Sequence, residues 1–501
     1  MPFDHLLSPV RFLLDSCPAM SASTLRTLRM YEAWWEHEGQ HISYAVDRAG
    51  TPHVRMFDRF GKRVDEILYI TDYWRMLKEG YKAGIVWRVF EENSLLPFFL
   101  MDYVTCFYDI GVSCPYTVSI STAVPLDKYG DDEVCKRYLV PMLRRNDEVW
   151  QGATWMTEIR GGSDLGANVD TSAVQAADGH WFLTGDKYFC SNAGAEVAVV
   201  AARIDDKPGV RGLGLFLVPR VRENGELNFH LRRLKDKIAT RSVPTGEIEM
   251  RNSEAYLLGA PEHGIYLILE VLNLSRVANA MGSIGLAQRA FSEALRFAQG
   301  RVAFGKPLIE QPLMRRQFEE RHAEICRSFA LAWEAAITLN SVHRETPPYS
   351  NRFHMTRLLI HLAKYWTAEV CVQTAKWAME VNGGIGTLAE YPVERWLREA
   401  MIADIWEGPP HRQILDGLEV MERKSAHLML FEHLMPFVEP EQMQEVTARM
   451  ERWLLMPQDE KEANAQTEFN ILAQFTADAL LGRMRAEVQE QGLVARRVTE
   501  R

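Results

Sequence analysis

The sequence lacks the cysteine spacing that a disulfide framework or a structural zinc site needs. Its seven cysteines are odd in number, widely scattered and free of CxxC pairs. Such usage is typical of a protein kept in a reducing compartment, because secreted domains pair their cysteines at regular spacings. We therefore expect a cytoplasmic protein without a metal site.

The sequence also lacks an excess of basic residues and any long apolar run. Its formal net charge is -10, whereas binding to a polyphosphate backbone relies on clustered Lys and Arg. The segment from Met1 to Met20 has no basic region ahead of an apolar stretch, and no run is long enough to cross a bilayer. Nucleic acid is thus not the default partner, and we expect neither export nor membrane insertion.

The chain has 501 residues, of which 47% are hydrophobic, enough to bury the cores of two to four domains. From about Leu25 to Leu143 the apolar residues recur at helical spacing, so this part is expected to be mainly helical. Between Trp150 and Tyr256, short β-prone runs alternate with Asp-Gly, Thr-Gly and Pro-Gly turns, a pattern that predicts a small sheet domain.

After Gly264 the helical spacing returns. Gly and Pro clusters separate four long segments, which we expect to form an antiparallel bundle: 265–300, 312–344, 350–381 and 411–433. The stretch from Pro436 onward predicts two further amphipathic helices with a break near Pro457. The expected fold is mainly α with a central β-domain, and the expected domains are 1–148 (helical), 149–260 (β), 261–433 (helical bundle) and 434–501 (helical extension).

A glycine-rich loop near the start of the sheet domain is the first candidate for a binding site. It runs from Met156 to Asp164, with a hydroxyl at each end on Thr157 and Ser163. Exposed backbone N-H groups and hydroxyls could bond a planar, acceptor-rich ring or an acyl carbonyl. Taken alone, the loop is more typical of a surface turn between strands than of a binding site.

Two later motifs suit a dinucleotide. The guanidinium of Arg301 can pair two oxygens of a pyrophosphate at once, with Phe304 packed beside it. Gly383 and Gly384 form a turn that lets the backbone approach a ligand closely. Each motif alone would also fit an ordinary helix end.

Glu407 is the candidate catalytic base, in the run Ile405-Trp406-Glu407-Gly408. A carboxylate in a dry pocket, to which Ile405 and Trp406 could contribute, has a raised pKa and takes up a proton effectively at working pH. Such a base typically contributes about 10²–10⁴-fold to a rate. The alternative is a glutamate that ends a turn before Gly-Pro-Pro.

Together these segments resemble the acyl-CoA dehydrogenase family, from about Trp150 to Met421. They match its motifs T-E-x-x-x-G-S-D and R-x-x-F-G-K and resemble Q-x-x-G-G-x-G and I-Y-E-G-T, with Glu380 in place of the glutamine, Trp406 in place of the tyrosine and Pro409 in place of the threonine. The Arg-Gly-Gly-Ser-Asp and Ile-Trp-Glu-Gly forms, the long helical N-terminal part and the C-terminal extension are similar to the AidB-like branch. The resemblance implies a helical N-terminal domain, a small β-barrel-like middle domain and a C-terminal four-helix bundle.

The resemblance also implies FAD as cofactor and an acyl-CoA substrate oxidised to its 2,3-enoyl form, with Glu407 as the base. Some family members carry the base on the helix segment Leu272–Arg276, but Asn273 and Ser275 offer no carboxylate there. The implied substrate contacts are Ser163, Arg276 and Gly408. The implied FAD contacts are Met156, Thr157, Phe189, Ser191, Arg301, Phe304, Gly383 and Gly384.

The same resemblance implies partners. In the family the arginine at Arg301 reaches the FAD of a neighbouring subunit, so we expect a homo-oligomer, either dimer or tetramer, and an electron acceptor such as an electron-transfer flavoprotein. The AidB-like branch also binds DNA through its added C-terminal region. Here residues 434–501 carry eight Arg or Lys against twelve Asp or Glu, which disfavours DNA.

Two other functions remain open from the sequence. One is an AidB-like flavoprotein with a role in DNA binding and alkylation protection that retains only residual dehydrogenase activity. The other is an oxidase acting on nitroalkane-like carbon acids, a chemistry expected to use aspartate at the base position, so that Glu407 argues against it.

Overall fold

The computed structural model describes residues 3–17, 20–205 and 207–499. The chain forms two compact units. The first comprises Met1–Ala33, Phe99–Tyr108 and Arg276–Arg501, and the second comprises Trp34–Phe98 and Asp109–Ser275. The predicted class, mainly α with a central β region, is confirmed, whereas the four domain boundaries stay a prediction.

Helices make up most of the chain before the sheet. Their bounds are α1 Pro9–Ser16, α2 Ala22–Trp34, α3 Gln40–Ala49, α4 Thr71–Ala83, α5 Trp87–Glu91, α6 Leu96–Tyr108, α7 Ile110–Tyr129, α8 Asp132–Val134 and α9 Val140–Met142. A hairpin that the helical spacing did not predict, β1 (His53–Phe57) and β2 (Arg63–Leu68), interrupts them. Its alternating pattern is short and mostly polar, so periodicity alone does not distinguish it from a loop.

The central strands form a small closed barrel. Their bounds are β3 Gly152–Trp155, β4 Ser172–Gln175, β5 Trp181–Ser191, β6 Val197–Ile204, β7 Leu213–Pro219, β8 His230–Leu234 and β9 Thr245–Leu258, with the short helix α10 (Leu165–Asn168) after β3. Within the described residues, neighbours pair in the order β6-β4-β5-β9-β7, and β7 pairs again with β6 to close the ring. Strand β3 adds to β6, and β8 adds to β9.

Strands β6 and β7 are almost wholly buried because both of their faces are covered. Ala198, Val200 and Phe216 point into a core with Trp155 and Leu183. The alternate residues of the same strands enter a second core, with Leu126, Met142, Leu267 and Ile268 from the helices of the same unit. This explains why both strands appear in the sequence as continuous apolar runs.

The long helices after the barrel begin close to the predicted positions. Their bounds are α11 Gly264–Gly300, α12 Pro312–Val342, α13 Asn351–Asn382, α14 Val393–Ile405, α15 Pro410–Lys424 and α16 Ala426–Leu434. The prediction of one helix over 411–433 was wrong in one respect. Two helices, α15 and α16, occupy this segment, and they are separated at Ser425, whose φ of 51° is left-handed. Helix α13 packs against α12, α14 and α15.

Two helices form the C-terminal extension, α17 (Pro440–Leu454) and α18 (Gln458–Thr499), with the break at the expected place near Pro457. The last residue of the predicted extension, Arg501, lies outside the described residues. Helix α18 packs against α12 and α15, and Tyr365 of α13 donates a hydrogen bond of 2.6 Å to Asn470 Oδ1. Among the described helices, none combines the length and the apolar character that a bilayer span requires.

Candidate functional site

A buried ion pair anchors the loop that follows β3. The ammonium of Lys187, on β5, lies 2.6 Å from Glu158 Oε1, and both side chains are almost fully buried. Glu158 also accepts hydrogen bonds from the backbone N-H groups of Asp170 and Thr171 and from the Thr171 hydroxyl. Burial alone would raise the pKa of Glu158, but Lys187 and these hydrogen bonds hold it below its ordinary value.

The loop backbone is held tightly against Thr157. A Cβ on Gly162 would lie 2.4 Å from Thr157 Oγ1, so only glycine allows this approach. The N-H of Tyr188 donates to the carbonyl of Thr157 at 2.8 Å, which joins the loop to β5. Met156 is buried, whereas Ser163 is exposed just before Asp164, the residue that caps α10.

A β-bulge presents the Phe189 ring to solvent. The pairing of β5 with β9 is irregular between Lys187 and Cys190, and Phe189 has a φ of 58° and a ring that is 57% exposed. Bulges commonly redirect a side chain next to an active site. The Lys235 ammonium lies 4.9 Å from the centre of this ring, and the Ser191 hydroxyl is 3.1 Å from that of Thr245. Lys235 lies outside the sequence motifs, so the sequence analysis did not identify it as a site residue.

Arg301 and Phe304 lie on a tight hairpin after α11. Its strands are β10 (Val302–Ala303) and β11 (Lys306–Pro307), joined by Phe304 and Gly305, both with positive φ. Phe304 is 96% exposed and Arg301 is also exposed. Gln311 Nε2 donates to the carbonyl of Ala303 at 3.1 Å and so fastens the hairpin to the start of α12.

The glycine turn after α13 is open. Gly383 adopts φ 64° and ψ -145°, and a Cβ on Gly383 or Gly384 would meet no atom within 4 Å. Positive φ with extended ψ is essentially a glycine conformation. The carboxylate of Glu380, which replaces the family's glutamine, pairs with Lys376 one helical turn earlier.

Glu407 lies in a left-handed turn between α14 and α15. Its φ is 59° and that of Gly408 is 105°. A non-glycine residue in this region is strained and is commonly found at functional sites. Glu407 is half-buried, and Trp406 beside it is also half-buried; Ile405 is 57% exposed and so does not supply the apolar setting expected of it.

Two buried side chains hold the backbone of this turn. The Nε of Arg276 donates to the carbonyl of Glu407 at 3.1 Å, and its Nη2 donates to Asp416 at 3.3 Å. Gln413 Nε2 donates to the carbonyls of Glu407 and Gly408 at 2.9 and 3.1 Å. The predicted residues Arg276, Glu407 and Gly408 are therefore brought together.

A buried lysine adds charge near the turn. Lys364 donates from Nζ to the carbonyl of Asp404 at 2.7 Å. Burial lowers the pKa of Lys364 to about 8, while the carboxylates of Asp404 and Glu407 act in the opposite direction. Burial also lowers the pKa of Arg276, opposed by Asp416 and Glu407. The Glu407 carboxylate thus acts electrostatically on two buried basic side chains, Arg276 of α11 and Lys364 of α13.

The twelve predicted site residues fall into both units. Met156, Thr157, Ser163, Phe189 and Ser191 belong to the unit with the barrel, and the other seven belong to the unit with the bundle. Sequence reasoning missed Lys187, Gln413 and two side chains of α13, His361 and Lys364. A signal for the last two exists, because Arg357, His361 and Lys364 recur at helical spacing on one stripe of α13.

Three domain families match the sequence. Residues 153–253 match the middle domain of acyl-CoA dehydrogenases and residues 262–421 match their C-terminal domain. Residues 20–147 match the N-terminal domain of the adaptive response protein AidB.

Among similar proteins, acyl-CoA dehydrogenase family member 11 of Caenorhabditis elegans is 30% identical over 416 residues, covering 78% of this chain and 67% of the relative. The putative acyl-CoA dehydrogenase AidB of Escherichia coli K12 is 30% identical over 400 residues, covering 75% and 70%. The crystal structure of C. elegans ACDH-11 in complex with C11-CoA has the same fold, with a TM-score of 0.84, 24% identity, and coverage of 96% of this chain and 87% of that one.

Proposed function

Because the chain belongs to the acyl-CoA dehydrogenase family, in its AidB-like branch, we propose that it oxidises an acyl-CoA thioester to the 2,3-enoyl form. The observation that carries the proposal is the strained turn at Glu407, which Arg276 and Gln413 hold through its carbonyl oxygens. Strain of this kind persists where surrounding contacts fix a functional group.

The cofactor of the family is FAD, and the residues of this chain fit it. Phe189 offers an exposed aromatic face, Thr157 and Ser191 offer hydroxyls, and the Arg301 guanidinium suits a diphosphate. Met156 and Phe304 complete the proposed contacts of the ring and the diphosphate, and Gly383 and Gly384 those of the adenosine. When bound, FAD supplies a hydride acceptor for the β-carbon of the substrate.

The protein's own part of the chemistry is proton removal. We assign Glu407 to take the α-proton of the thioester and its backbone N-H to donate to the thioester oxygen, where negative charge develops. Arg276, which donates to the carbonyl of Glu407, and the buried Lys364 add positive charge near this carboxylate. Ser163 and Gly408 are assigned to the substrate.

The substrate class and the partners belong to the proposal as well. The ACDH-11 complex contains C11-CoA, which supports a thioester ligand for a relative of this fold. The proposed oxidant of the reduced cofactor is an electron-transfer flavoprotein. The exposed Arg301 and Phe304 are assigned to the FAD of a second subunit, so the proposed active form is a homo-oligomer, dimer or tetramer, in the cytoplasm.

Anaerobic mixing of the purified yellow protein with acyl-CoAs of different chain lengths tests this function. We expect bleaching of the visible flavin band with some thioesters, and a loss of roughly 10²-fold or more in its rate for Glu407→Gln. Glu432→Gln is the matched control, since Glu432 is an exposed carboxylate on α16. Bound flavin that no thioester bleaches would refute the proposal.

The match of residues 20–147 to the AidB N-terminal domain supports a second candidate function, DNA binding with alkylation protection. The C-terminal extension argues against DNA binding. Its basic residues Arg449, Lys461 and Arg483 each pair with a carboxylate of the protein itself. Fluorescence anisotropy of a labelled duplex at low and moderate salt distinguishes the two. Binding that weakens steeply with salt would favour the DNA role.

A further inference from the structure

The turn that carries Glu407 is held by a chain of hydrogen bonds that reaches helix α13. Gln413, on α15, donates from Nε2 to the carbonyls of Glu407 and Gly408. Its Oε1 lies 2.9 Å from Nδ1 of His361, on α13. Both Gln413 and His361 are completely buried. The backbone of the proposed base is thus connected through one amide to an imidazole on a neighbouring helix.

The direction of every hydrogen bond in this chain follows from the two carbonyls. A carbonyl only accepts, so the Gln413 atom facing Glu407 and Gly408 is the amide nitrogen, and the atom facing His361 is the amide oxygen. The oxygen needs a donor, which places a proton on His361 Nδ1. Burial, together with the charge of Arg276, lowers the pKa of His361 to about 3. The ring is therefore neutral, with the lone pair on Nε2.

The Nε2 atom of His361 is buried without a hydrogen-bond partner among the described residues. An apolar side chain of similar size would avoid the cost of burying Nε2 without a partner, but it would leave Gln413 Oε1 buried without a donor. The one hydrogen bond that the imidazole makes with the described residues is from its Nδ1-H to Gln413 Oε1. The arrangement indicates that His361 serves to orient the amide of Gln413.

The turn needs such a restraint. Glu407 and Gly408 both have positive φ, and left-handed backbone at a non-glycine residue costs about 1–2 kcal/mol. A Cβ on Gly408 would lie 2.6 Å from Gln413 Nε2, so the amide packs directly on the glycine. Without an oriented amide, the carbonyl of Gly408 loses its Gln413 donor and the carbonyl of Glu407 keeps the donor from Arg276.

We infer that His361 and Gln413 are positioning residues: His361 fixes the amide of Gln413, and Gln413 fixes the turn that aims the Glu407 carboxylate at the substrate's α-carbon. The inference rests on the proposed function of Glu407 as the base. Neither residue contacts the reacting atoms in this scheme. Both act on the rate of proton removal through the backbone of Glu407.

Two substitutions of His361 separate this role from simple packing. In His361→Asn the side-chain amide can place an N-H close to the position of Nδ1, whereas His361→Leu fills the space without a donor. We expect flavin reduction at saturating acyl-CoA to slow on the order of 10–10²-fold in His361→Leu, because small misplacement of a reacting group costs about that much. His361→Asn should remain within roughly threefold of the wild type, and the acyl-CoA concentration giving half the maximal rate should change little in both.

A second readout does not depend on catalysis. Hydrogen-deuterium exchange of the backbone amides of Glu407, Gly408, His411 and Arg412, measured without acyl-CoA, should become faster in His361→Leu and stay unchanged in His361→Asn. If His361→Leu does not fold, Gln413→Met tests the same hydrogen bonds from the other side and should show the same two effects.

Two results would overturn the inference: equal losses in His361→Leu and His361→Asn, or unchanged rate and amide exchange in His361→Leu. Failure of the proposed function is distinct, because the wild-type protein would then show no flavin reduction with any acyl-CoA. In that case exchange at the turn would still report whether His361 orders it.

Discussion

The Lys187 ammonium lies 2.6 Å from the Glu158 carboxylate, and neither side chain has appreciable contact with solvent. This pair connects β5 to the loop that carries Met156, Thr157 and Ser163. In the sequence, Glu158 is part of the most specific motif and could be taken for a ligand-binding carboxylate. The structure gives it four protein donors instead, the N-H groups of Asp170 and Thr171, the Thr171 hydroxyl and the Lys187 ammonium, so its role is to shape the loop.

Breaking this pair should be costly. We expect Lys187→Met to destabilise the protein by about 3–5 kcal/mol, because it leaves a buried carboxylate without its cation. Urea denaturation followed by tryptophan fluorescence measures the effect. The matched control is Asp186→Asn, which removes the exposed pair of Asp186 with Arg232 one residue away on the same strand and should cost less than about 1 kcal/mol. Equal costs for both variants would contradict the assignment.

Lys364 predicts a dependence of stability on alkaline pH. Its folded-state pKa is about 8, below the value of about 10.4 in an unfolded chain. Between these values the unfolded state binds more protons than the folded state, so the free energy of unfolding rises with pH. Lys364→Met should lack this rise. Comparing urea midpoints of the two proteins from about pH 7.5 to about pH 10 checks it; parallel curves would show that Lys364 does not titrate in this window.

The long helices could be predicted from the sequence because their apolar residues recur over many turns. The spacing placed the start of α12 at its observed residue, Pro312, and the end of α11 at Gly300. Ser425 was missed because its left-handed φ of 51° contradicts its residue type. The β1–β2 hairpin was missed because short, mostly exposed strands have no distinctive periodicity.

The candidate site was predictable only where a motif is contiguous. Glu407 and Gly408 stand next to each other, so the spacing placed them in one turn. His361 lies on another helix, and its hydrogen bond to Gln413 spans 52 positions of the sequence. No local sequence pattern extends over so many positions, so none could predict this contact. It arises from the packing of α13 against α15, which a single sequence does not specify.

Gly408→Ala should disturb both the stability and the chemistry of the turn. The backbone φ of 105° and the 2.6 Å approach of a Cβ to Gln413 Nε2 act together. We expect a destabilisation at least twice that of Gly61→Ala, whose φ of 80° is strained but whose surroundings are open; strain alone costs about 1–2 kcal/mol. Flavin reduction by acyl-CoA should slow in Gly408→Ala alone. Equal stability losses would mean that Gln413 moves aside without cost.

The C-terminal extension should depend on one buried carboxylate. Glu334 of α12 is 2% exposed and accepts hydrogen bonds from His433 Nε2 at 2.7 Å and from Arg483 of α18. Removing Arg483 withdraws the charge that lets Glu334 stay ionised inside the protein, so Arg483→Met should destabilise the packing of α18 by about 3–5 kcal/mol. Limited proteolysis should then release fragments cut within α17 or α18 faster than in the wild type. Asp478→Asn is the control, because the Asp478–Arg327 pair is partly exposed and its loss should cost less than about 1 kcal/mol. If Arg483→Met resists the protease as well as the control, apolar contacts alone hold α18 in place, and the ion pair contributes specificity rather than stability.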